Sequence, residues 1–148
     1  MRPSVTEQLQ GLRRILDDVI APELTDSYPR DILSGVCATL ESIGEGWQHV
    51  PAFLDWDIRA SSAVLAHAAK AGHGVDDVKA FDADPYDLAA LENRHRETRA
   101  ALERVVPAIA ADEELGALRT QLAELFRERA QRYPLKVAWR PPVGQSPQ

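Results

Sequence analysis

Motifs that carry a known chemical mechanism are missing from this chain of 148 residues. It has no glycine-rich phosphate loop, no Gly-x-Ser-x-Gly elbow, no His-Glu-x-x-His and no Cys-x-x-Cys. Catalysis therefore has no support in the sequence, and no cofactor is expected. Cys37 is the only cysteine, which excludes an intramolecular disulfide and favours a reducing, cytoplasmic environment.

Long apolar runs and basic blocks are missing as well. No uncharged stretch approaches the roughly 20 residues that span a bilayer, and the N-terminus lacks the apolar segment of a signal peptide, so neither a membrane protein nor a secreted one is expected. The net charge of −6, with no concentrated basic face, argues against nucleic acid as the main partner. The excess of arginine over lysine and the abundant alanine suggest a bacterium with a GC-rich genome.

What the chain does contain is helical periodicity, in a composition of 45% hydrophobic and 27% charged residues that is typical of folded proteins. Apolar residues recur every three or four positions in five segments. The first predicted helix runs over about 5–24, and the second runs from Pro29 until Gly44 and Gly46 weaken the pattern. The third runs from Pro51 to Gly72, the fourth from Asp84-Pro85 past Ile109, and the fifth from Asp112 to about Tyr133. We expect an all-α fold, an antiparallel bundle of about five helices in one domain over residues 1–140. Residues 141–148 are expected to form a Pro-rich tail that is extended or disordered.

The fourth predicted helix has the most regular apolar seam. Its positions alternate by three and four over three heptads, which favours packing against another helix and, with the similar seam of the fifth helix, a homodimer. The seam contains Leu88, Leu91, His95, Thr98, Leu102, Val105 and Ile109. His95 is the residue that breaks this pattern, and a half-buried imidazole needs a partner.

A metal site is one interpretation of His95. Glu92 lies three residues before it, and Glu-x-x-His places a carboxylate and an imidazole on one helix face, as di-iron bundles require. Glu45 and His49 are the nearest second half, although their spacing departs from that pattern. The favoured alternative is a histidine at the edge of the core, hydrogen-bonded to a side chain or a backbone carbonyl, with no metal.

A pocket for a small apolar ligand is the second candidate site. Three aromatic residues and an imidazole, Trp47, His49, Phe53 and Trp56, fall within ten residues at a predicted helix junction, and His95 is a further candidate lining residue. The alternative is that these aromatic side chains only fill the junction between two helices.

The N-terminal segment resembles the start of a bacterial family of unknown function. The resemblance rests on the acidic helix Leu-Arg-Arg-Ile-Leu-Asp-Asp-Val-Ile-Ala-Pro-Glu-Leu at 12–24, followed by a helix like that at 32–43, and it covers about the first third of the chain. Members of that family tend to be encoded beside aminoglycoside-phosphotransferase-like proteins. The resemblance implies an accessory protein that acts on or beside a kinase-like enzyme.

The leading hypothesis is therefore a non-catalytic helical protein that works through protein–protein contacts, with a homodimer and a kinase-like phosphotransferase as the expected partners. A ligand- or metal-binding helical protein, with its site around His95 and the segment 47–56, is the alternative.

Overall fold

The computed structural model describes residues 3–74 and 87–135, and within these ranges the chain is helical without any β-strand. The all-α prediction is confirmed. The helices are α1 (Val5–Ile15), α2 (Ser27–Gly46), α3 (Val50–Lys70), α4 (Leu88–Ala111) and α5 (Gly116–Arg132). The antiparallel arrangement of all five in one bundle stays a prediction. The tail 141–148 and the Asp84-Pro85 helix start lie outside the described residues.

The ends of α1 follow from local hydrogen bonds. The Ser4 hydroxyl accepts from the Glu7 backbone N–H, and the Glu7 carboxylate accepts from the Ser4 N–H, so two otherwise unpaired donors at the helix start are satisfied. Beyond Ile15 the chain continues as a π-helical turn, Leu16–Ile20, and a 3₁₀ turn, Ala21–Glu23. The helical segment therefore extends close to the predicted end at residue 24.

Helix α2 ends at the second of the two glycines that the sequence predicts will weaken it. The helix runs through Gly44 to Gly46, and a 3₁₀ turn, Trp47–His49, follows it. Gly46 is buried against residues 134 and 135: a Cβ there would collide with the Pro134 carbonyl oxygen and lie 2.9 Å from Leu135 Cδ2. The close approach of another segment of backbone therefore requires glycine at this position, which is also the last residue of α2.

Backbone contacts divide the chain into two compact units, residues 1–49 with 134–148, and residues 50–133. The single domain expected over residues 1–140 stays a prediction. The first unit contains α1 and α2 as a helical hairpin. Thr6 Oγ1 donates to the Gly44 carbonyl at 3.0 Å and Arg13 pairs with Glu41 at 2.7 Å, so the two helices run in opposite directions.

The second unit is built on α3, which packs most extensively against α4 and also against α5. The apolar seams predicted for these three helices are confirmed as its core. The largest cluster of buried hydrophobic residues contains Val64, Leu65, Ala68, Ala101, Leu102, Val105, Ile109, Leu118, Leu122 and Leu125. A second cluster, at the other end of α3, contains Phe53, Leu54, Ile58 and Leu91.

Candidate functional site

The centre of the candidate site is Asp57, a carboxylate with 0% exposed surface in the middle of the second unit. Its position on α3 follows the helical repeat, because it lies between Leu54 and Ser61 at intervals of three and four, on the face that points into the core. A buried carboxylate is costly unless it is paired and hydrogen-bonded. Its partners therefore define the site.

Three side chains from α3, α4 and α5 form this polar cluster with Asp57. His95 Nε2, on α4, donates to Asp57 Oδ2 at 2.6 Å, and Arg129 Nε, on α5, donates to Asp57 Oδ1 at 2.7 Å. The second arm of Arg129, Nη2, donates to Ser61 Oγ at 2.9 Å. We call Asp57, Ser61, His95 and Arg129 the Asp57 cluster. It joins all three helices of the unit through charge-assisted hydrogen bonds.

The electrostatics of the cluster keep Asp57 ionised. Burial by itself raises the pKa of Asp57, but the hydrogen bonds and charges of His95 and Arg129 act in the opposite direction and outweigh it, so that the pKa of this carboxyl lies below its ordinary value. The guanidinium of Arg129 is itself largely enclosed, with 11% of its side chain exposed. A buried negative charge therefore faces a nearly buried positive charge.

Most of the hydrogen bonds of the Asp57 cluster are made within it. Both carboxylate oxygens are engaged by protein donors, and within the described residues no hydrogen bond joins the Ser61 hydroxyl to His95. A serine and a histidine in that relation would be needed for a nucleophile activated by a base. The arrangement is that of a structural connection between helices, with the His95 side chain, 21% exposed, at its solvent edge.

The structure brings together three of the five residues predicted for a ligand pocket. The Phe53 ring centroid lies 6.0 Å from that of Trp56 and 6.3 Å from that of His95. Trp47 and His49 belong to the first unit and are exposed. Around Phe53 the second unit adds Tyr133, edge-on at 5.5 Å, and Arg132, whose guanidinium lies 4.7 Å from the Trp56 ring centroid. These rings pack on one another and on the core.

The structure does not assemble the predicted metal ligands within either unit. Glu45 and His49 belong to the first unit, and Glu92 and His95 to the second. Throughout residues 3–74 and 87–135 no group of three or more His, Cys, Asp and Glu side chains is placed to hold a metal ion. The partner of His95 is a carboxylate, Asp57, whereas Glu92 is exposed.

Sequence reasoning missed Asp57 and Arg129, although a signal was present. Asp57 falls three residues after Leu54 on the α3 seam, and Arg129 falls four residues after Leu125 on the α5 seam. Each is a charged residue where the helical repeat predicts an apolar one, as His95 is on α4. Three interrupted seams with opposite charges indicate one shared polar layer.

The first unit presents a different candidate surface, made of apolar side chains exposed to solvent. We call six of them the hairpin face; each is between 43% and 57% exposed. The hairpin face consists of Val5, Leu12, Ile15, Val19, Ile32 and Val36. Among the described residues of this unit, Cys37 is the only buried hydrophobic side chain, whereas the second unit contains fourteen. The seams predicted for the first two helices are therefore largely uncovered.

No protein-family model, curated protein or solved structure matches the chain. None of the helices in the described ranges combines the length and the apolar character needed to cross a membrane.

Proposed function

We propose that this protein is a non-catalytic helical protein that acts through protein–protein contacts, and that the hairpin face is its contact surface. The observation that carries the proposal is the exposure of this face. On α1 and the helical turns that continue it, the exposed fractions are 52% for Leu12, 54% for Ile15 and 57% for Val19. The spacing of these residues is that of an apolar helix face that packs against another element. Contiguous exposed apolar surface of this kind marks interaction sites in soluble proteins.

The chemistry of the hairpin face supports a protein partner. Along α1 the positions between its apolar side chains include Gln8, and along α2 they include Gly35 and Thr39, none of which is charged. Depletion of charged residues is the compositional feature that distinguishes the centre of protein–protein interfaces from the remaining surface. The acidic and basic residues of the hairpin, such as the Arg13–Glu41 pair, lie outside this stripe.

The Asp57 cluster supports the non-catalytic part of the proposal. Both oxygens of its carboxylate accept hydrogen bonds inside the cluster, one from His95 Nε2 and one from Arg129 Nε. A catalytic group needs a free proton acceptor or donor within reach of a substrate. The cluster is better suited to holding α3, α4 and α5 in one arrangement.

The resemblance of residues 12–24 and 32–43 to a family encoded beside aminoglycoside-phosphotransferase-like proteins falls on the same hairpin. It adds a kinase-like phosphotransferase to the partners that we propose, so that the protein would be accessory to such an enzyme. The resemblance supplies the identity of this partner, and the exposed face supplies the physical reason for a contact.

The test uses two purified components. The mass of the full chain is measured by light scattering coupled to gel filtration, and its binding to a purified aminoglycoside-phosphotransferase-like protein is measured by titration calorimetry. We expect association with itself, with the enzyme or with both, and we expect Ile15→Glu with Ile32→Glu to weaken it. A chain that stays monomeric at tens of micromolar and binds no enzyme would overturn the proposal.

A further inference from the structure

We infer that the hairpin face is covered by the same face of a second copy of this chain, so that two α1–α2 hairpins form a four-helix interface related by a two-fold axis. The inference deepens the proposed function and depends on it, because it names the partner at the same surface. It rests on three observations: where the exposed side chains point, how much area they offer, and what lies between them.

The exposed apolar residues of both helices lie on one side of the hairpin. On α1 the residues that touch α2 are Thr6 and Arg13. At 3.6 residues per turn, the exposed residues of α1 lie roughly a third of a turn away from them around the helix axis. On α2 the exposed Ile32 and Val36 are rotated by a similar amount, in the same sense, from Gly44. Because the helices run in opposite directions, equal rotations bring the two stripes to the same side.

The area of the face suits a dimer of moderate affinity. Six side chains that are about half exposed offer on the order of 500 Å² per copy, so two copies bury about 1,000 Å² from these side chains alone, which is near the lower limit for a specific interface. Flanking residues of the two helices add to this area. Among the described residues of the first unit, no helix other than α1 and α2 is available to cover this surface.

A second copy also satisfies the composition of the face. An isologous interface needs a surface that is complementary to itself, and an uncharged apolar stripe meets that requirement without any opposite charge on a different partner. Small residues in the α2 stripe, Gly35 and Thr39, permit the close approach of a facing helix. Two hairpins placed face to face give four helices around a shared apolar centre, the arrangement of a four-helix bundle.

The experiment measures mass against concentration for four forms of the full chain by light scattering and sedimentation. These forms are the natural chain, the face variant Ile15→Glu/Ile32→Glu, the control Ala63→Glu/Ala123→Glu, and a chain lacking residues 136–148. The control adds the same two charges at exposed positions of α3 and α5, in the second unit. Circular dichroism checks that every form is folded.

The natural chain of 16.4 kDa, the control and the shortened chain are each expected at twice their own chain mass, and the face variant is expected to dissociate to the monomer. Weakening of self-association by at least a hundredfold in the face variant, against less than threefold in the control, would support the inference. A natural chain that is monomeric, or a dimer that the face variant leaves intact, would overturn it.

Two further outcomes separate this inference from the proposed function. A natural chain that is monomeric and dimerises only without residues 136–148 would show that the chain's own C-terminal segment covers the face, and it would overturn the inference. A monomer that binds the purified phosphotransferase-like protein, and loses that binding in the face variant, would also overturn the second copy as occupant, yet it would leave the proposed function standing.

Discussion

Replacing Asp57 by Asn tests whether the Asp57 cluster holds the second unit together. The substitution keeps the shape of the side chain and removes its charge. The amide oxygen that it introduces can still accept from Arg129 Nε, but the guanidinium, with 11% of its side chain exposed, loses its counter-charge. Removing one partner of a buried pair costs about 3–5 kcal/mol of unfolding free energy, and we expect the lower end because one hydrogen bond is retained. A typical domain is stable by only about 5–15 kcal/mol, so this loss is large.

The same helix offers a matched control. Asp55 pairs with Arg59 at 3.0 Å, a distance similar to those at Asp57, but 76% of the Arg59 side chain is exposed. An exposed pair of this kind contributes about 0.2–1 kcal/mol, so Asp55→Asn should change stability by no more than that. The two substitutions are chemically identical, but Asp57 is buried between His95 and Arg129, whereas Asp55 pairs with an exposed arginine.

The assay is urea unfolding followed by circular dichroism, with the free energy extrapolated to water for each variant. The double variant Asp57→Asn/Arg129→Gln should lose less unfolding free energy than the two single variants lose together. We expect a difference of about 0.5–3 kcal/mol, because in the double variant neither charge is left without its partner. If Asp57→Asn and Asp55→Asn cost the same within about 1 kcal/mol, the reasoning from burial is wrong.

Three further outcomes are expected. The ionised Asp57 stabilises the fold above about pH 3.9, the ordinary pKa of aspartate, and this stability is lost as the pH falls through its lower pKa in the folded state. The unfolding free energy of the natural chain, measured against pH, should therefore fall on acidification, and that of Asp57→Asn should fall less. His95→Leu should cost about 1–3 kcal/mol in urea unfolding, since it leaves Asp57 Oδ2 without its donor, whereas His67→Leu at an exposed hydrogen bond should be nearly neutral. Gly46→Ala should lower the melting temperature, because its Cβ would collide with the Pro134 carbonyl oxygen, whereas Gly11→Ala, with open space around it, should raise the melting temperature.

The helices and the core of the second unit were readable from the sequence because each depends on a local repeat. Leu54, Ile58 and Leu65 on α3, and Leu118 and Leu122 on α5, are buried as their spacing predicts. On α2, Cys37 is buried as well. Desolvation raises the pKa of this thiol, and a hydrogen bond that the thiol donates to Asp17 raises it further.

The interrupted seams of α3, α4 and α5 indicate a shared polar layer, but they do not say which residues pair within it, and the partner of His95 lies 38 positions earlier on another helix. A half-buried imidazole predicts that a partner exists but not its charge. The partner is an ionised carboxylate, so His95→Leu becomes destabilising, whereas a neutral partner would have made that substitution tolerable. Registers between helices depend on packing, which periodicity within one helix does not encode.

The periodicity of α1 and α2 was equally clear, and yet the residues of the hairpin face remain about half exposed. Val36 is 43% exposed, although its position in the repeat is equivalent to that of buried residues on α3. A seam indicates that a surface is to be covered, and it carries no information on whether the cover belongs to the same chain. This is the feature of the fold that sequence patterns alone leave open.

The unequal burial of the two units has a consequence for how the molecule opens. With one buried hydrophobic side chain among its described residues, the α1–α2 hairpin opens at a small free-energy cost, whereas exposing the core of α3, α4 and α5 requires unfolding of that whole unit. Backbone amides between Val5 and Gly46 should therefore exchange with solvent long before those of α3. The proposed association would stabilise the closed hairpin, and on that proposal their protection is predicted to rise with protein concentration while that of α3 stays constant. The hairpin would acquire its rigidity from the partner that it binds.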